Sequence, residues 1–341
     1  MSAADGRPGL APGPEREQVL AELRQARRLI LVAHENPDGD ALGSLVAMQG
    51  AMSELGADCL TFIAPADLPP PQEYRFLPLT GLVSEPPPDM RERTIVFLDC
   101  GNIDRNPAEA FRREGAHILN IDHHHDNTRF GTVNLVVPSA SCTAEIVWDL
   151  MHGLGVQPRG TVADALYVGL ITDTGRFMYE NTTSRAHLMA AELIDAGVDV
   201  HGIYRRVYEG VPYAKLALLA RGLSNIERYE GGLTIAELTA DDFSQAQAEE
   251  SYSEGLVDHL RALEGTRVAA LVRHRAGRDG ANGARKVSLR AGDESIDVSA
   301  IARAQGGGGH RQAAGFSTDL SHQELVAFLR EQLDAQLAAA R

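Results

Sequence analysis

Aromatic residues are scarce in this 341-residue sequence, at 5% with a single tryptophan. Surfaces that track long single-stranded nucleic acid interleave aromatics with basic residues, and no stretch here does so. Basic charge is also in short supply. Lys and Arg number 32 against 47 Asp and Glu, for a formal net charge of −15. A duplex-DNA surface needs a basic stripe, so no duplex-DNA partner is expected. A small anionic substrate held through metal ions remains compatible with that charge. The three cysteines, Cys59, Cys100 and Cys142, are far apart and form no CxxC pair. They read as reduced thiols of a cytoplasmic protein without a disulfide framework. Long apolar runs are missing too. No window approaches 18 uncharged apolar residues, so no membrane span is expected. The opening "MSAADGRPGLAPGP" is rich in Pro, Gly and Ala and has no apolar core. It reads as a disordered tail over 1–15 rather than a signal peptide.

What remains is an ordinary globular composition, 44% hydrophobic, of a length that suits about two domains. "RLILVAH" (28–34), "CLTFIA" (59–64), "TIVFLDCG" (94–101) and "AHILNIDHHH" (116–125) read as strands. Residues 16–27, 41–56, 142–155 and 162–175 carry helical patterns. Continuously apolar strands alternating with helices predict an α/β fold, a parallel sheet with helices on both faces, over 16–185. A long helical stretch at about 183–226 follows, and 186–227 reads as a helical linker. From 228 to 341 short strands separated by Gly-rich turns, with helices near 253–263, 297–304 and 322–339, predict a smaller α+β domain. "HRAGRDGANGARK" (274–286) reads as a flexible hairpin loop.

The polar chemistry falls at strand ends. "AHENPDGDALGS" carries His34, Asp38 and Asp40, Asp99 ends the next apolar run, Asp122-His123-His124 ends another, and Asp173 closes a helix. Parallel strands open their C-termini on one edge, where ligands bind. Singly, an Asp there is usually a helix N-cap or a turn residue, and a lone His a satisfied side chain. Together, four crowded carboxylates would repel one another unless divalent cations neutralised them. Asp and His ligation suits Mn²⁺, and also Fe, Co or Zn. Two ions, bridged by Asp99 and spaced about 3.5–4 Å, would form the usual clamp for in-line phosphoryl displacement. His125 reads as a loop residue. A second cluster, "AQGGGGHRQAAGF" (304–316), places Gly306, Gly307, Gly308 and Gly309 as an anion-binding nest. His310 and Arg311 are expected to open a short helix behind it, with Arg290 as a phosphate fork.

These segments carry a resemblance. "VAHENPDGDALGS", "FLDCG", "IDHHHDNTRFG" and "TDTGRF" are similar to the four signature motifs of the DHH phosphoesterase superfamily. "KVSLR" and "DVSAIARAQGGGGHRQAAGF" resemble its DHH-associated C-terminal domain with a GGGH motif. The two-domain form most resembles the branch of bifunctional oligoribonucleases and pAp (3′-phosphoadenosine-5′-phosphate) phosphatases. The resemblance implies two Mn²⁺ ions, with Mg²⁺ or Co²⁺ as substitutes, on His34, Asp38, Asp40, Asp99, His123 and Asp173. It implies catalytic roles for Asp99 and His124, the latter touching the scissile phosphate or orienting the site. Arg290, Gly306, Gly307, Gly308, Gly309 and His310 would hold the nucleotide from the second domain, across a hinged cleft that favours short chains. Short RNA and pAp are the implied substrates. Cyclic di-AMP or its linear product pApA, or a catalytically silent nucleotide-binding role, are the alternatives, and a homodimer is a possible assembly. The third histidine, Arg176 and Met178 depart from the commoner family form.

Overall fold

The structure, a computed structural model, describes residues 13–106, 111, 116–276, 282–309 and 311–339. Its contacts divide it into two compact units, Met1–Gly210 and Val211–Arg341.

The first unit runs α1 (Pro14–Gln25), β1 (Arg28–Val32), α2 (Gly39–Glu54), β2 (Asp58–Phe62), β3 (Leu82–Val83), β4 (Thr94–Leu98), β5 (Ile118–Asp122), β6 (Val133–Val136), α3 (Thr143–Leu154), α4 (Thr161–Asp173), α5 (Ser184–Asp195) and α6 (Val200–Tyr208). All six strands are parallel, in the order β3-β2-β1-β4-β5-β6. The α/β parallel-sheet expectation is met, but among the described residues the helices α1 to α6 pack on one face and not on both. Order reverses between β1 and β4, and such a switch point opens a crevice at the strand C-termini. β1 and β4 are buried at every position after the first, as expected of strands covered on both faces. One face, with Leu29, Leu31, Val96 and Leu98, packs under α1 to α6. The other, with Ile30, Val32, Phe62 and Phe97, is covered among the described residues by Met90 and Phe111. β3 and β6 are short edge strands that the apolar-run pattern does not reveal. α2 and α4 approach closely because Gly43 lies where a Cβ would stand 2.4 Å from the Ala165 carbonyl oxygen.

The expected helical stretch of 183–226 is three helices. Gly197 (φ +99°) and Gly210 (φ +77°) take left-handed backbone after α5 and α6, the usual helix-stopping device. Pro212 then precedes α7 (Tyr213–Ser224).

The second unit continues β7 (Ile226–Tyr229), β8 (Leu233–Leu238), α8 (Ala240–Ala246), α9 (Leu256–Arg261), β9 (Val268–Ala276), β10 (Asn282–Ala291), α10 (Val298–Arg303), β11 (Gly308–Gly309), β12 (Ala313–Thr318) and α11 (His322–Ala339). Its sheet is mixed, ordered β11-β12-β10-β9-β8-β7, with only β8–β9 parallel. α10 and α11 fill one face and α7, α8 and α9 the other. β9 and β10 flank 277–281, so the central part of the expected hairpin loop lies outside the described residues. Among the described residues no helix is long and apolar enough to cross a membrane.

Candidate metal centre

The fold brings His34, Asp38, Asp40, Asp99, His123 and Asp173 together at the C-terminal edge of the first sheet. Three donor sets form: His34–Asp38–Asp99, Asp40–His123–Asp173, and Asp99–His123–His124, which shares a member with each of the other two. In every set the ligand atoms lie within 4.8 Å of one another. Asp99 links the first two. Its Oδ2 is 3.5 Å from His34 Nε2, and its Oδ1 is 3.7 Å from His123 Nε2. His123 Nε2 is also 3.7 Å from Asp173 Oδ2. Asp99 has φ +57°, a left-handed value that aspartate tolerates better than most residues. The strand therefore breaks at the residue whose carboxylate faces both sets.

Helix starts engage Asp38 and Asp40, while Asp173 ends α4. Asp38 Oδ1 accepts from the N–H groups of Asp40 and Ala41 at 3.0 and 3.1 Å, capping α2. Asp40, 1% exposed, accepts from Thr143 and Ala144 N–H at 2.7 and 2.9 Å at the start of α3. The N-cap reading holds for Asp38 alone, since Asp40 lies within the first turn of α2 and serves the start of a distant helix, and both roles coexist with a place in the cluster. A capped carboxylate still has lone pairs for a cation.

Electrostatics fit a cation. Burial, then the neighbouring carboxylates, raises Asp38 and pushes Asp40 well above the usual range. Burial and the charges of Asp99 and Asp38 push Asp173 up to about 7 despite the histidines nearby. Asp99 goes the other way: burial opposes its charge, but His34, His124 and His123 outweigh it and hold it low. Burial also works against charged His34 and His124, yet Asp99 raises the first, and Asp122 with Asp99 brings the second up to about 9. Buried carboxylates that resist ionisation among imidazoles form a donor set that a divalent ion would complete.

Several supporting residues escape sequence reasoning. Thr143 Oγ1 donates to Asp99 Oδ1 at 3.1 Å. Asn127 Nδ2 donates to Asp122 Oδ2 at 2.6 Å, while Asp122 Oδ1 holds His124 Nδ1 at 2.8 Å. Asn181 Nδ2 reaches Asp173 Oδ2 at 3.2 Å and the Ser141 carbonyl at 2.8 Å. Asn127 and Asn181 lie within the polar stretches "HHHDN" and "YENTT", which was the one available signal. His125 is exposed, as expected. Cys100 follows Asp99, and Cys142 precedes Thr143. Burial pushes the Cys100 thiol up to about 12 and the Cys142 thiol well above its usual value.

The second cluster differs from expectation. Gly308 and Gly309 pair with β12 as a strand, so the chain past 310 opens a strand and not a helix. Alternating "AAGFST" pairs with the free edge of β10, and that ladder overrides the helical reading. A Cβ on Gly307 would lie 2.2 Å from the Gly315 carbonyl oxygen, and one on Gly309 2.6 Å from that of Ala313. Close strand packing therefore accounts for those two glycines, and φ +72° accounts for Gly306. Gly308 has nothing within 4 Å of its Cβ position. Arg290 Nε is 3.3 Å from Asp258, Arg311 Nη2 donates to the Glu294 carbonyl at 3.0 Å, and His310 lies outside the described residues.

The DHH family N-terminal domain matches residues 28–170 and the DHHA1 domain matches 232–339. A bifunctional oligoribonuclease and PAP phosphatase NrnA of Thermus thermophilus is 34% identical over 95% of this chain and 98% of its own length. The protein of the same description in Bacillus subtilis is 25% identical over 85% of this chain and 88% of its own. Among solved structures, an exopolyphosphatase-related protein from Bacteroides fragilis has the same fold, with TM-score 0.82 at 22% identity over 96% of this chain and 98% of that one. RecJ from Thermus thermophilus in complex with Mn²⁺ matches 98% of this chain and 56% of that chain at 16% identity, with TM-score 0.57. The strand-end motifs, the paired domain matches and a relative aligned nearly end to end agree, and this chain belongs to the DHH family.

Proposed function

We propose that this protein is a divalent-metal-dependent phosphoesterase that hydrolyses short oligoribonucleotides to mononucleotides and pAp to AMP, with Mn²⁺ as its metal. The observation that carries the reading is Asp99, whose Oδ2 faces His34 and whose Oδ1 faces His123, so that it links overlapping donor sets. The substrate class comes from the relatives described as oligoribonucleases and PAP phosphatases. His34, Asp38 and Asp99 would hold one ion, and Asp40, His123, Asp173 and Asp99 the other. Ions bound there supply charge neutralisation at the phosphoryl group and a more acidic water. The protein's own contribution is pre-organisation. Thr143 fixes the Asp99 carboxylate and Asn181 fixes Asp173. Asp122 holds His124 through Nδ1, which leaves Nε2 available to the scissile phosphate. Arg290 and the Gly306–Gly309 segment are the second unit's candidate nucleotide contacts, with Gly308 offering room for close approach.

A substrate panel on metal-stripped protein, with and without added Mn²⁺, tests the reading. Expected are Mn²⁺-dependent release of mononucleotides from a diribonucleotide and of AMP from pAp, with a long single-stranded RNA slow. Strong preference for cyclic di-AMP or pApA would replace the substrate assignment and keep the chemistry. No hydrolysis of any substrate would refute the enzyme.

A further inference from the structure

Just past Asp173 the backbone takes an unusual course. Gly175, Arg176 and Phe177 are all left-handed, with φ of +54°, +63° and +64°. Glycine adopts that region freely, but for a bulky aromatic it is an outlier. Such a run persists only where its surroundings hold it. Here the Arg176 N–H donates to the Ile171 carbonyl at 2.7 Å, and its guanidinium lies 5.1 Å over the Tyr208 ring. Phe177 stacks on His187, with centroids 4.9 Å apart. Both side chains are engaged in holding the turn, and neither is what the turn displays.

What it displays is the next pair. Met178 is 67% exposed and Tyr179 57%, although their N–H groups are fixed, each donating to the Thr174 carbonyl at 3.0 Å. The Tyr179 ring lies across Gly175, where a Cβ would come within 2.5–2.6 Å of three ring atoms. Gly175 is therefore required both by its φ and as the seat of the ring. One ring face rests on bare backbone, and the exposure leaves the other open. Tyr204 and Tyr208 are 5.1 Å apart on α6, and the Tyr179 and Tyr204 hydroxyls are near enough to bear on the charge of Tyr208. No carboxylate among the described residues pairs with Arg176. A protein poor in aromatics thus keeps an exposed tyrosine plane, fixed just past the end of the helix that supplies Asp173.

This inference rests on the phosphoesterase reading above and deepens it. We propose that Tyr179, flanked by Met178, is the plane on which the nucleobase adjoining the scissile phosphate stacks. Stacking on an aromatic ring accepts every base, because every base has a π-face. The polarizable methionine adapts to different base shapes. The ledge would therefore select nucleotides over base-free phosphates while tolerating different bases.

The test compares Tyr179→Ala, Tyr179→Leu and Tyr179→Phe with the wild-type protein. One readout is quenching of a pAp analogue carrying 2-aminopurine as its base, bound with Ca²⁺ in place of Mn²⁺ to slow turnover. The other is the split of KM and kcat, with Mn²⁺, for pAp and for ribose 3′,5′-bisphosphate, which lacks the base. Wild type and Tyr179→Phe should quench the probe, and the Ala and Leu variants should not. Tyr179→Ala should raise KM for pAp roughly 5- to 100-fold, the worth of one base stack, with kcat little changed and the base-free substrate unaffected. Leu keeps apolar bulk without a flat ring, so it separates stacking from general packing. Wild-type quenching in the Ala and Leu variants, an equal KM change for both substrates, or no change for either would overturn the stacking assignment. A wild-type protein that neither binds nor hydrolyses pAp would instead remove the phosphoesterase reading and this inference with it.

Discussion

Asp38 and Asp40 show how one residue satisfies two demands. Asp38 caps the helix that follows it, Asp40 accepts N–H groups at the start of α3, and each has a carboxylate among the cluster's donors. Their residue types and loop position were readable from sequence, because strand C-termini in a parallel sheet converge on one edge. Thr143 and Asn181 were not readable in the same way. Their partners, Asp99 and Asp173, are distant in the chain or on another turn, and nothing local marks a threonine at a helix start as a ligand's anchor. The bridging role proposed for Asp99 makes a sharp prediction. Asp99→Asn keeps the shape and removes the charge, so hydrolysis should fall by at least about 10²–10³-fold, the range for losing one pre-positioned charge-stabilising group. The metal-free variant should still unfold in one cooperative transition, which shows that the fold is kept. Near-wild-type turnover would sink the two-ion assignment.

At the scale of elements, the buried strands were legible because continuous apolar runs need cover on both faces. The edge strands were not, because β3 has two residues and β6 four, too few for a pattern. The glycine segment reads in sequence as the lead into a helix because its partner is β12, which is itself held by the β10 edge that only tertiary structure supplies. The α2–α4 contact is equally invisible in sequence, yet it positions Asp40. Gly43→Ala forces a methyl group against the Ala165 carbonyl, at 2.4 Å, so the helices must part. The expected cost is about 1–3 kcal/mol, typical of overpacking, measured by denaturant unfolding, with hydrolysis reduced as Asp40 moves. A variant as stable and active as wild type would show that the helices can separate freely.

α11 starts at His322, whose Nδ1 lies 2.8 Å from Glu237 and Nε2 3.2 Å from Glu227. His274 Nε2 contacts the other Glu237 oxygen at 3.1 Å. Hydrogen bonding to Glu237, against a smaller cost of burial, raises His322. Burial works against the Glu237 charge, but the two histidines outweigh it and lower its pKa. A raised histidine stabilises fully below its unfolded value, about 6.5, and loses that contribution as pH climbs through its folded value. The lowered Glu237 contributes above its unfolded value and loses that contribution as pH falls through its folded one. Stability of the second unit should therefore decline from about pH 6.5 upward, and His322→Gln should flatten that slope. An unchanged slope in the variant would place the effect elsewhere.

For the whole molecule, the charge of −15 means that most anions are repelled, and productive contact has to be made where cations are held. Cations that bind the folded state alone stabilise it, by about 2.7 kcal/mol at a hundredfold excess over Kd. Chelation should therefore lower the melting transition of the first unit by roughly 5–10 °C, and Mn²⁺ should restore it. Calorimetry should show the second unit's transition unmoved. A chelator that shifts neither would mean that the acidic cluster holds no ion.

The buried thiols beside the cluster offer a way to time its opening. A sulfhydryl held protonated and out of solvent is a poor nucleophile, so Cys100 and Cys142 should resist alkylation while the surrounding backbone stays closed. Their modification rates then report the frequency of local opening. The neighbour of Asp99 becomes a chronometer for the strand ends, one that should run slowly with the ion bound and faster once it is withdrawn.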